Sequence, residues 1–230
     1  DTNVIAVEKL NGFLVSTFLH PYDLNQIVVT CSGSFQGDYV DYAKSLLFSH
    51  GLYGRVLAWL QEHQDTTLLW EAIHPDDPHI IQYGPEDYGL HLIGGGVLGN
   101  GFISEEGLDA ISNILQTPRP TWFPCTFGDA ISKSHHVEHE GFMIRLADDG
   151  TFALKLKSPY YLRTKFLARL NPKKCKFMYG QPQRFKQELD EAFWPLVDAV
   201  TSQVPQETWL SWTDIERRDF VQAWMNEVYK

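Results

Sequence analysis

Short apolar runs separated by turn-forming residues dominate the first half of this sequence. They are rich in β-branched and aromatic side chains and are bounded by Gly, Pro, Asn or Asp, as β-strands typically are. The runs that predict strands are 3–10, 12–19, 26–34, 66–74, 79–83 and 88–94. The first half is therefore predicted to be built around β-sheet.

Helical patterns interrupt the predicted strands in two places. Residues 38–62 have helical character that is broken near Gly51 and Gly54, and a second helix is predicted to begin after Ser104 as its N-cap. Farther along, residues 141–147 and 151–158 flank Asp148-Asp149-Gly150, a turn sequence typical of a β-hairpin. We interpret this part of the chain as an α+β fold that contains more strands than helices.

After Pro172 the pattern becomes helical. One helix is predicted around 184–202 and another from Thr213, where Thr213 and Glu216 have the spacing of a capping box. The apolar face predicted for the last helix consists of Phe220, Trp224, Met225 and Val228. Together these patterns predict a sheet-based domain over residues 1–168 and a small helical module over residues 169–230.

Composition excludes several classes of protein. With 230 residues, of which 43% are hydrophobic, the chain can bury a large core and is not predicted to be disordered. It contains no apolar run approaching the roughly 18 residues of a membrane span, and no signal segment. Cys31, Cys125 and Cys175 are scattered, which fits a reducing compartment and predicts a cytoplasmic protein with no disulfide partner and no membrane contact. The start at Asp1 rather than Met indicates an excised or processed piece.

The net charge of −10 argues against a generic nucleic-acid binder, because neutralisation of phosphates supplies most of that affinity. The charge is uneven, however. Residues 155–176 contain eight of the 19 Lys and Arg residues and no Asp or Glu. Such a stretch is either a solvated surface run or a stripe that faces phosphates.

Lys9 lies in Glu8-Lys9-Leu10-Asn11-Gly12, between two predicted strands. A lysine there is usually just an exposed charge, and it can act as a nucleophile only if neighbouring cations or burial lower its pKa. Lys155 and Lys157 are candidates for those cations, because residues two apart in a strand point to one face. Leu154 and Leu156 are then expected to face the core. Two like charges on one face need an anionic partner such as a triphosphate, although an ordinary surface strand remains the alternative.

Two carboxylates, Glu71 and Glu140, are flanked by apolar residues in predicted strands. Acids in such positions are rarely buried without a partner. A sugar hydroxyl or a hydrated Mg²⁺ would be a functional partner, and a structural ion pair is the alternative for each.

Two further patterns have weaker functional interpretations. Residues 94–99 satisfy G-x-G-x-x-G but lack the surrounding βαβ units of a dinucleotide site, so a glycine-rich turn is preferred. His135, His136 and His139 precede Glu140 and could be read as zinc ligands, but no cysteine pair accompanies them, and a polar loop is preferred.

Five short segments occur in order along residues 4–165. They are Lys9-Leu10-Asn11-Gly12, Ser32-Gly33-Ser34-Phe35, Leu69-Trp70-Glu71, Glu140-Gly141-Phe142-Met143-Ile144 and Lys155-Leu156-Lys157-Ser158. Together they resemble the motifs of ATP-dependent RNA ligases of the phage and fungal tRNA-ligase type, members of the covalent nucleotidyltransferase superfamily. The resemblance implies that residues 1–168 form an antiparallel-sheet adenylyltransferase domain.

The same resemblance implies a role for each matching residue. Lys9 would form a lysyl-AMP intermediate, Glu71 would hold the ribose, and Glu140 would bind or orient Mg²⁺, with Mn²⁺ as a substitute. Lys155 and Lys157 would contact the phosphates. The remaining nucleotide contacts would come from Glu8, Leu10, Asn11, Gly12, Gly141, Met143 and Tyr161.

The function implied is the joining of an RNA 5′-phosphate to a 3′-hydroxyl, in RNA repair or tRNA splicing, by a monomer that consumes ATP. Departures from the family pattern are Asn11 in place of Asp, Phe13 in place of a small hydroxyl residue, and Ser32 in place of Lys. Phage-type ligases also carry upstream basic residues, whereas eight residues precede Lys9 here. Weak adenylylation is expected if the chain is complete, and if it is a fragment the missing part is expected before Asp1. A DNA ligase, a capping-type enzyme, or a nucleotide- or RNA-binding domain without catalysis remain the alternatives.

Overall fold

The strands pair antiparallel into two sheets, both within the first of two units, Asp1–Ser158 and Pro159–Lys230. The computed structural model describes residues 2–148 and 150–228. Asp1 lies outside the described residues, and so does Asp149, which belongs to the predicted hairpin turn. The unit boundary falls before the predicted boundary at residue 168, because the helix Pro159–Ala168 packs against the last helix of the chain.

One sheet has four strands and the other has five. In chain order the strands are β1 Asn3–Glu8, β2 Phe13–His20, β3 Asp23–Cys31, β4 Thr66–Ile73, β5 Gly89–Val97, β6 Gly101–Phe102, β7 Trp122–Thr126, β8 Gly141–Leu146 and β9 Phe152–Lys157. The four-stranded sheet has the order β7-β1-β8-β9, and the five-stranded sheet has the order β3-β2-β4-β5-β6. The predicted antiparallel α+β architecture is confirmed.

Four helices belong to this unit. They are α1 Asp38–Phe48, α2 Leu52–Glu62, α3 Glu105–Leu115 and α4 Phe127–Ser134. A 3-10 turn, Ser49–Gly51, separates α1 from α2 at the predicted break, and Ser104 caps α3 by accepting from Gly107 N–H. Helices α1 to α3 pack on the five-stranded sheet around a core that includes Trp70. A separate core lies between α4 and the four-stranded sheet.

Two strand predictions need correction. Residues 79–83 form no strand. Ile80 and Ile81 are buried there, and Ile81 N–H donates to the Asn11 side chain instead of to a neighbouring strand. Leu154 was expected in the core but is 37% exposed, because β9 is the edge strand of its sheet.

The second unit is entirely helical in its described residues and has its own core around Trp209. Its helices are α5 Pro159–Ala168, α6 Pro172–Gly180, α7 Pro182–Gln187, α8 Trp194–Gln203, α9 Gln206–Ser211 and α10 Asp214–Val228. The single helix predicted over 184–202 is wrong. Asp190 caps a 3-10 turn, Glu191–Phe193, after which α8 starts with Pro195 in its first turn.

The capping box before α10 is confirmed, since Thr213 and Glu216 exchange side-chain to backbone hydrogen bonds. Its predicted apolar face is only partly correct, because Met225 is buried while Val228 is exposed. Among the described residues no helix is long and apolar enough to cross a membrane.

Candidate functional site

Lys9 stands at the end of β1, where the chain leaves the four-stranded sheet. Its backbone N–H donates to Gly141 O at 2.8 Å, which ties the end of β1 to the start of β8. Its ammonium Nζ lies 2.9 Å from Glu140 Oε2. Antiparallel pairing of β1 with β8 therefore brings together two predicted site residues that are far apart in sequence.

The Glu140 side chain is 3% exposed, and both of its carboxylate oxygens have polar partners. Asn11 Nδ2 donates to Oε2 at 2.8 Å, and the Lys157 ammonium lies 3.3 Å from Oε1. Lys157 reaches Glu140 because it pairs with Gly141 across β8 and β9. The structural ion pair considered for Glu140 is thus present, and its partners are two of the three lysines predicted to act on a nucleotide.

Gly141 makes this close approach of β8 and β9 possible. Its φ of +122° is rarely adopted by residues with a side chain, and an added Cβ would lie 2.0 Å from Leu156 O. Only glycine fits this position without moving a strand.

A cavity of about 270 Å³ opens beside Lys9, with walls from both sheets. Its apolar wall consists of Val7, Leu10, Leu14, Leu69, Ile93, Pro120 and Met143, and its charged groups are Glu8, Lys9, Glu71, Arg145 and Lys155. Lys155 pairs with Met143 across β8 and β9, so the strand register places both side chains at the cavity.

Glu71 reaches the cavity from β4. Its Oε1 accepts a hydrogen bond from Gly12 N–H at 2.8 Å, and it has no ion-pair partner within 4.0 Å in the described chain. Burial raises the pKa of Glu71, while the Gly12 hydrogen bond and the Lys9 charge partly oppose that rise. The ion-pair alternative considered for Glu71 is therefore not what the structure has.

Tyr83 is a neighbour of the site to which the sequence patterns assigned no role. Its hydroxyl oxygen accepts from Asn11 N–H at 2.8 Å, and Asn11 Oδ1 accepts from Ile81 N–H at 3.1 Å. Burial raises the pKa of Tyr83 far above its ordinary value, so the hydroxyl stays protonated. The segment after β4 thus holds Asn11 from two sides. The available signal was the run 79–83, for which the sequence pattern predicts a strand instead.

Arg145 lines the cavity, but the sequence patterns did not predict it as a site residue. Its Nε lies 2.9 Å from Oε1 of Glu105, a carboxylate that is 2% exposed and that also pairs with Arg119. Arg119 Nε in turn contacts Asp109 Oδ1 at 3.0 Å. The available signal was its position two residues after Met143 on a strand, which puts both on one face.

The remaining predicted contacts lie in different places. Glu8 lines the cavity and accepts from Thr121 Oγ1 at 2.9 Å. Tyr161 lies on α5 in the second unit, where its ring is buried and the Lys165 ammonium stands 5.5 Å from the ring centroid.

His139 supports the backbone rather than a metal cluster. Gly141 N–H donates to His139 Nδ1 at 3.2 Å, and burial lowers the pKa of this histidine. Within residues 2–148 and 150–228, no three His, Cys, Asp or Glu side chains are grouped so as to hold a metal ion. A cation at Glu140 would therefore take most of its ligands from water and phosphates. That fits Mg²⁺, which keeps several waters and uses one or two carboxylates.

The arrangement suits a nucleotide. Apolar walls can enclose a base, Glu71 can accept from a sugar hydroxyl, and Lys9, Arg145 and Lys155 bring positive charge to the same cavity.

Comparison with known proteins gives matches to solved structures alone. No protein-family model matches the sequence, and no curated protein matches it. An archaeal ATP-dependent RNA ligase aligns with 100% of this chain at a TM-score of 0.57 and 17% identity. A Naegleria gruberi RNA ligase variant solved with ATP and Mn aligns with 70% of it, at a TM-score of 0.56 and 12% identity. The same ligase solved with PPi has a TM-score of 0.54 and 13% identity.

This chain spans 58% of the archaeal ligase and 51% of the Naegleria ligase. The chain therefore shares the α+β fold of the RNA ligases with which it aligns.

Proposed function

We propose that this chain is the adenylyltransferase part of an ATP-dependent RNA ligase. The observation that carries the proposal is the position of Lys9, whose ammonium lies 2.9 Å from Glu140 at the edge of a cavity that also contains Glu71 and Lys155. A nucleophile, a carboxylate for the sugar and cations for the phosphates are the parts that nucleotidyl transfer to a lysine requires.

In the first step Lys9 Nζ, after loss of a proton, attacks the α-phosphorus of ATP. A phosphorus–nitrogen bond forms, the bond from the α-phosphorus to the bridging oxygen breaks, and pyrophosphate leaves. Glu140 accepts a hydrogen bond from Lys9 Nζ and holds it at the cavity. Mg²⁺ bound near Glu140 would supply further positive charge to the phosphates.

In the later steps the AMP passes from Lys9 to an RNA 5′-phosphate, which breaks the phosphorus–nitrogen bond and forms a pyrophosphate linkage. An RNA 3′-hydroxyl then attacks the 5′-phosphate and AMP leaves. Lys155 lines the cavity and the Lys157 ammonium lies 3.3 Å from Glu140 Oε1. Both lysines would stabilise charge that develops on the transferred phosphate.

Glu71 and the apolar wall would orient the nucleoside. Gly12 N–H donates to Glu71 Oε1 and restricts the orientation of this carboxylate, which would accept a hydrogen bond from a ribose hydroxyl. Met143, Leu69 and Ile93 would contact the base. We further propose that the protein acts as a monomer. Its three free cysteines support a reducing, cytoplasmic setting.

The test is covalent labelling with α-labelled ATP and Mg²⁺. We expect label that survives denaturation, disappears in Lys9→Ala, and persists in Lys44→Ala, which removes an exposed lysine of α1. Labelling by GTP instead of ATP would favour a capping-type enzyme, and sealing of DNA ends alone would favour a DNA ligase.

Sealing of pre-adenylylated RNA provides an independent measurement, because it needs no ATP and no free Lys9. A chain that neither takes label nor seals such RNA, yet binds nucleotide, would contradict the proposal and leave a binding domain without catalysis.

A further inference from the structure

Three hydrogen bonds fix Asn11 beside Glu140. The Tyr83 hydroxyl accepts from Asn11 N–H at 2.8 Å, and Asn11 Oδ1 accepts from Ile81 N–H at 3.1 Å. Asn11 Nδ2 donates to Glu140 Oε2 at 2.8 Å. The backbone N–H, the side-chain oxygen and the side-chain nitrogen of this residue thus all have protein partners, and the residue is buried. We call Asn11, Ile81 and Tyr83 the Asn11 clamp.

The chemistry of the Asn11 clamp requires an amide at position 11. An amide carries both a donor and an acceptor, whereas a carboxylate only accepts. If the amide were turned over, Nδ2 would face Ile81 N–H and Oδ1 would face the Glu140 carboxylate, so its partners determine its orientation. An aspartate would instead bring a second negative charge within hydrogen-bond distance of Glu140, and two such charges repel.

Asn11 and Lys9 share one oxygen of Glu140. The Lys9 ammonium lies 2.9 Å from the same Oε2, whereas the Lys157 ammonium lies 3.3 Å from Oε1. A rotation of the Glu140 carboxylate would therefore move the atom that Lys9 contacts. By holding Oε2, Asn11 determines where the partner atom of Lys9 lies.

The Asn11 clamp is anchored by burial and not by strand pairing. Ile80 and Ile81 are buried on a segment that belongs to neither sheet. Hydrogen bonds in a protein interior are stronger than in water, and a donor left there without its acceptor is costly. Removing the Tyr83 hydroxyl would take away the acceptor that holds Asn11 N–H.

We propose that Tyr83 and Asn11 are positioning residues for nucleotidyl transfer, which hold Glu140 Oε2 beside Lys9 and act through this pair instead of on the nucleotide. The inference rests on the proposed function, because it takes Lys9 to be the nucleophile. It reassigns Asn11, for which the family resemblance implies a nucleotide contact, and it adds Tyr83 to the residues that the reaction needs. A displacement of about 1 Å at a reacting group can lower a rate about 100-fold.

The first experiment compares Tyr83→Phe with Tyr179→Phe as its matched control. Both remove a partly buried hydroxyl, and that of Tyr179 donates to Val204 O at 2.8 Å in the helical unit. We expect both variants to lose stability in urea denaturation. The rate of Lys9 labelling at saturating ATP should fall about 10- to 100-fold in Tyr83→Phe alone.

The Kd for ATP, measured by equilibrium binding, should stay near the parental value in Tyr83→Phe, because the Asn11 clamp acts on Lys9 and Glu140. Equal losses of labelling rate in the two tyrosine variants would overturn the proposal. So would a Tyr83→Phe variant whose only defect is weaker binding of ATP.

The second experiment exchanges the amide and the carboxylate. Asn11→Asp should lower the urea midpoint and slow labelling, and adding Glu140→Gln should recover part of the midpoint, because the amide then donates from position 140 to position 11. Lys9 can turn to its other acceptor, Leu10 O at 3.2 Å. Asn171→Asp is the control, since aspartate caps a helix as well as asparagine does, and it should change neither stability nor labelling.

An exchange variant no more stable than Asn11→Asp would contradict the Asn11 clamp, as would parental labelling by Asn11→Asp. The two proposals fail in different ways. A parent that takes no label contradicts the proposed function and the inference with it, whereas a labelled parent without recovery in the exchange contradicts the inference alone.

Discussion

At the scale of single residues, the backbone leaves no room for a side chain at Gly12. A Cβ built on Gly12 would lie 2.1 Å from Ala72 O on β4, and the Gly12 N–H is the donor that holds Glu71. The site therefore requires a residue without a side chain immediately beside the strand that carries its carboxylate.

Gly12→Ala should push β4 away and break the hydrogen bond to Glu71. We expect a loss of about 1–3 kcal/mol of stability from the overpacking and a fall in Lys9 labelling of tenfold or more. Urea denaturation and label incorporation measure the two effects. Gly54→Ala is the control, because an added Cβ meets no atom within 4 Å on α2, and it should stabilise by about 0.5–1 kcal/mol. Normal labelling in Gly12→Ala would contradict the assignment.

Glu71 makes stability depend on pH in a direction that can be worked out. Its pKa is raised in the folded state, mainly by burial, so the folded protein holds this proton more tightly than the unfolded chain does. Stability contributed by Glu71 is then lost as pH rises from the ordinary carboxyl range through the folded pKa.

Glu71→Gln removes that loss and keeps an oxygen that can accept from Gly12 N–H. We expect the variant to be more stable than the parent near neutral pH and equally stable below the ordinary carboxyl range, while Lys9 labelling falls. Denaturation curves at a series of pH values provide the measurement. A parent whose stability exceeds that of the variant at neutral pH would show that the carboxylate is favourably paired.

At the scale of elements, strand pairing determines which charges meet. The register of β1, β8 and β9 brings Lys9 and Lys157 to Glu140, and it directs Arg145 toward Glu105 on α3. Glu105 thereby connects a helix that packs on one sheet to a strand of the other. This buried cluster supports one side of the cavity.

Glu105→Gln would leave the guanidinium groups of Arg119 and Arg145 without their shared carboxylate. We expect a destabilisation of about 3–5 kcal/mol, the usual cost of breaking a buried ion pair, because Asp109 contacts Arg119 alone. The KM for ATP in the labelling reaction should also rise, since Arg145 lines the cavity.

Glu106→Gln, on the exposed face of the same helix, serves as the matched control and should change neither stability nor KM. If Glu105→Gln were as stable as this control, the cluster would not be holding Arg145.

At the scale of the whole molecule, the net charge of −10 is compatible with a nucleic-acid substrate because the cations are concentrated. Part of the acid-free stretch lies on β9, where Lys155 lines the cavity and Lys157 contacts Glu140, and part lies on α5 and α6. Each unit has its own core, so the two groups of cations are carried by separately packed bodies. We expect RNA binding to be localised and salt-sensitive.

Local patterns in the sequence were sufficient to predict most elements. Strand alternation, the Ser104 cap, the Thr213–Glu216 box and the Lys155–Lys157 pair depend on residues a few positions apart, so they can be read without a fold. The prediction of a single helix over 184–202 was wrong although its signals are also local. Asp190 caps a 3-10 turn and Pro195 lies in the first turn of α8, and the apolar pattern obscured both of these start signals.

Tertiary structure alone decided which distant residues meet. Lys9 and Glu140 are 131 positions apart and Asn11 and Tyr83 are 72 apart, yet each pair is in hydrogen-bond contact. Arg145 on β8 and Glu105 on α3 likewise form an ion pair between two elements. Periodicity extends over a few residues, whereas these contacts depend on strand order and on how a loop packs. The sequence determined the parts of the site, and only the folded sheets determined the carboxylate that faces each cation.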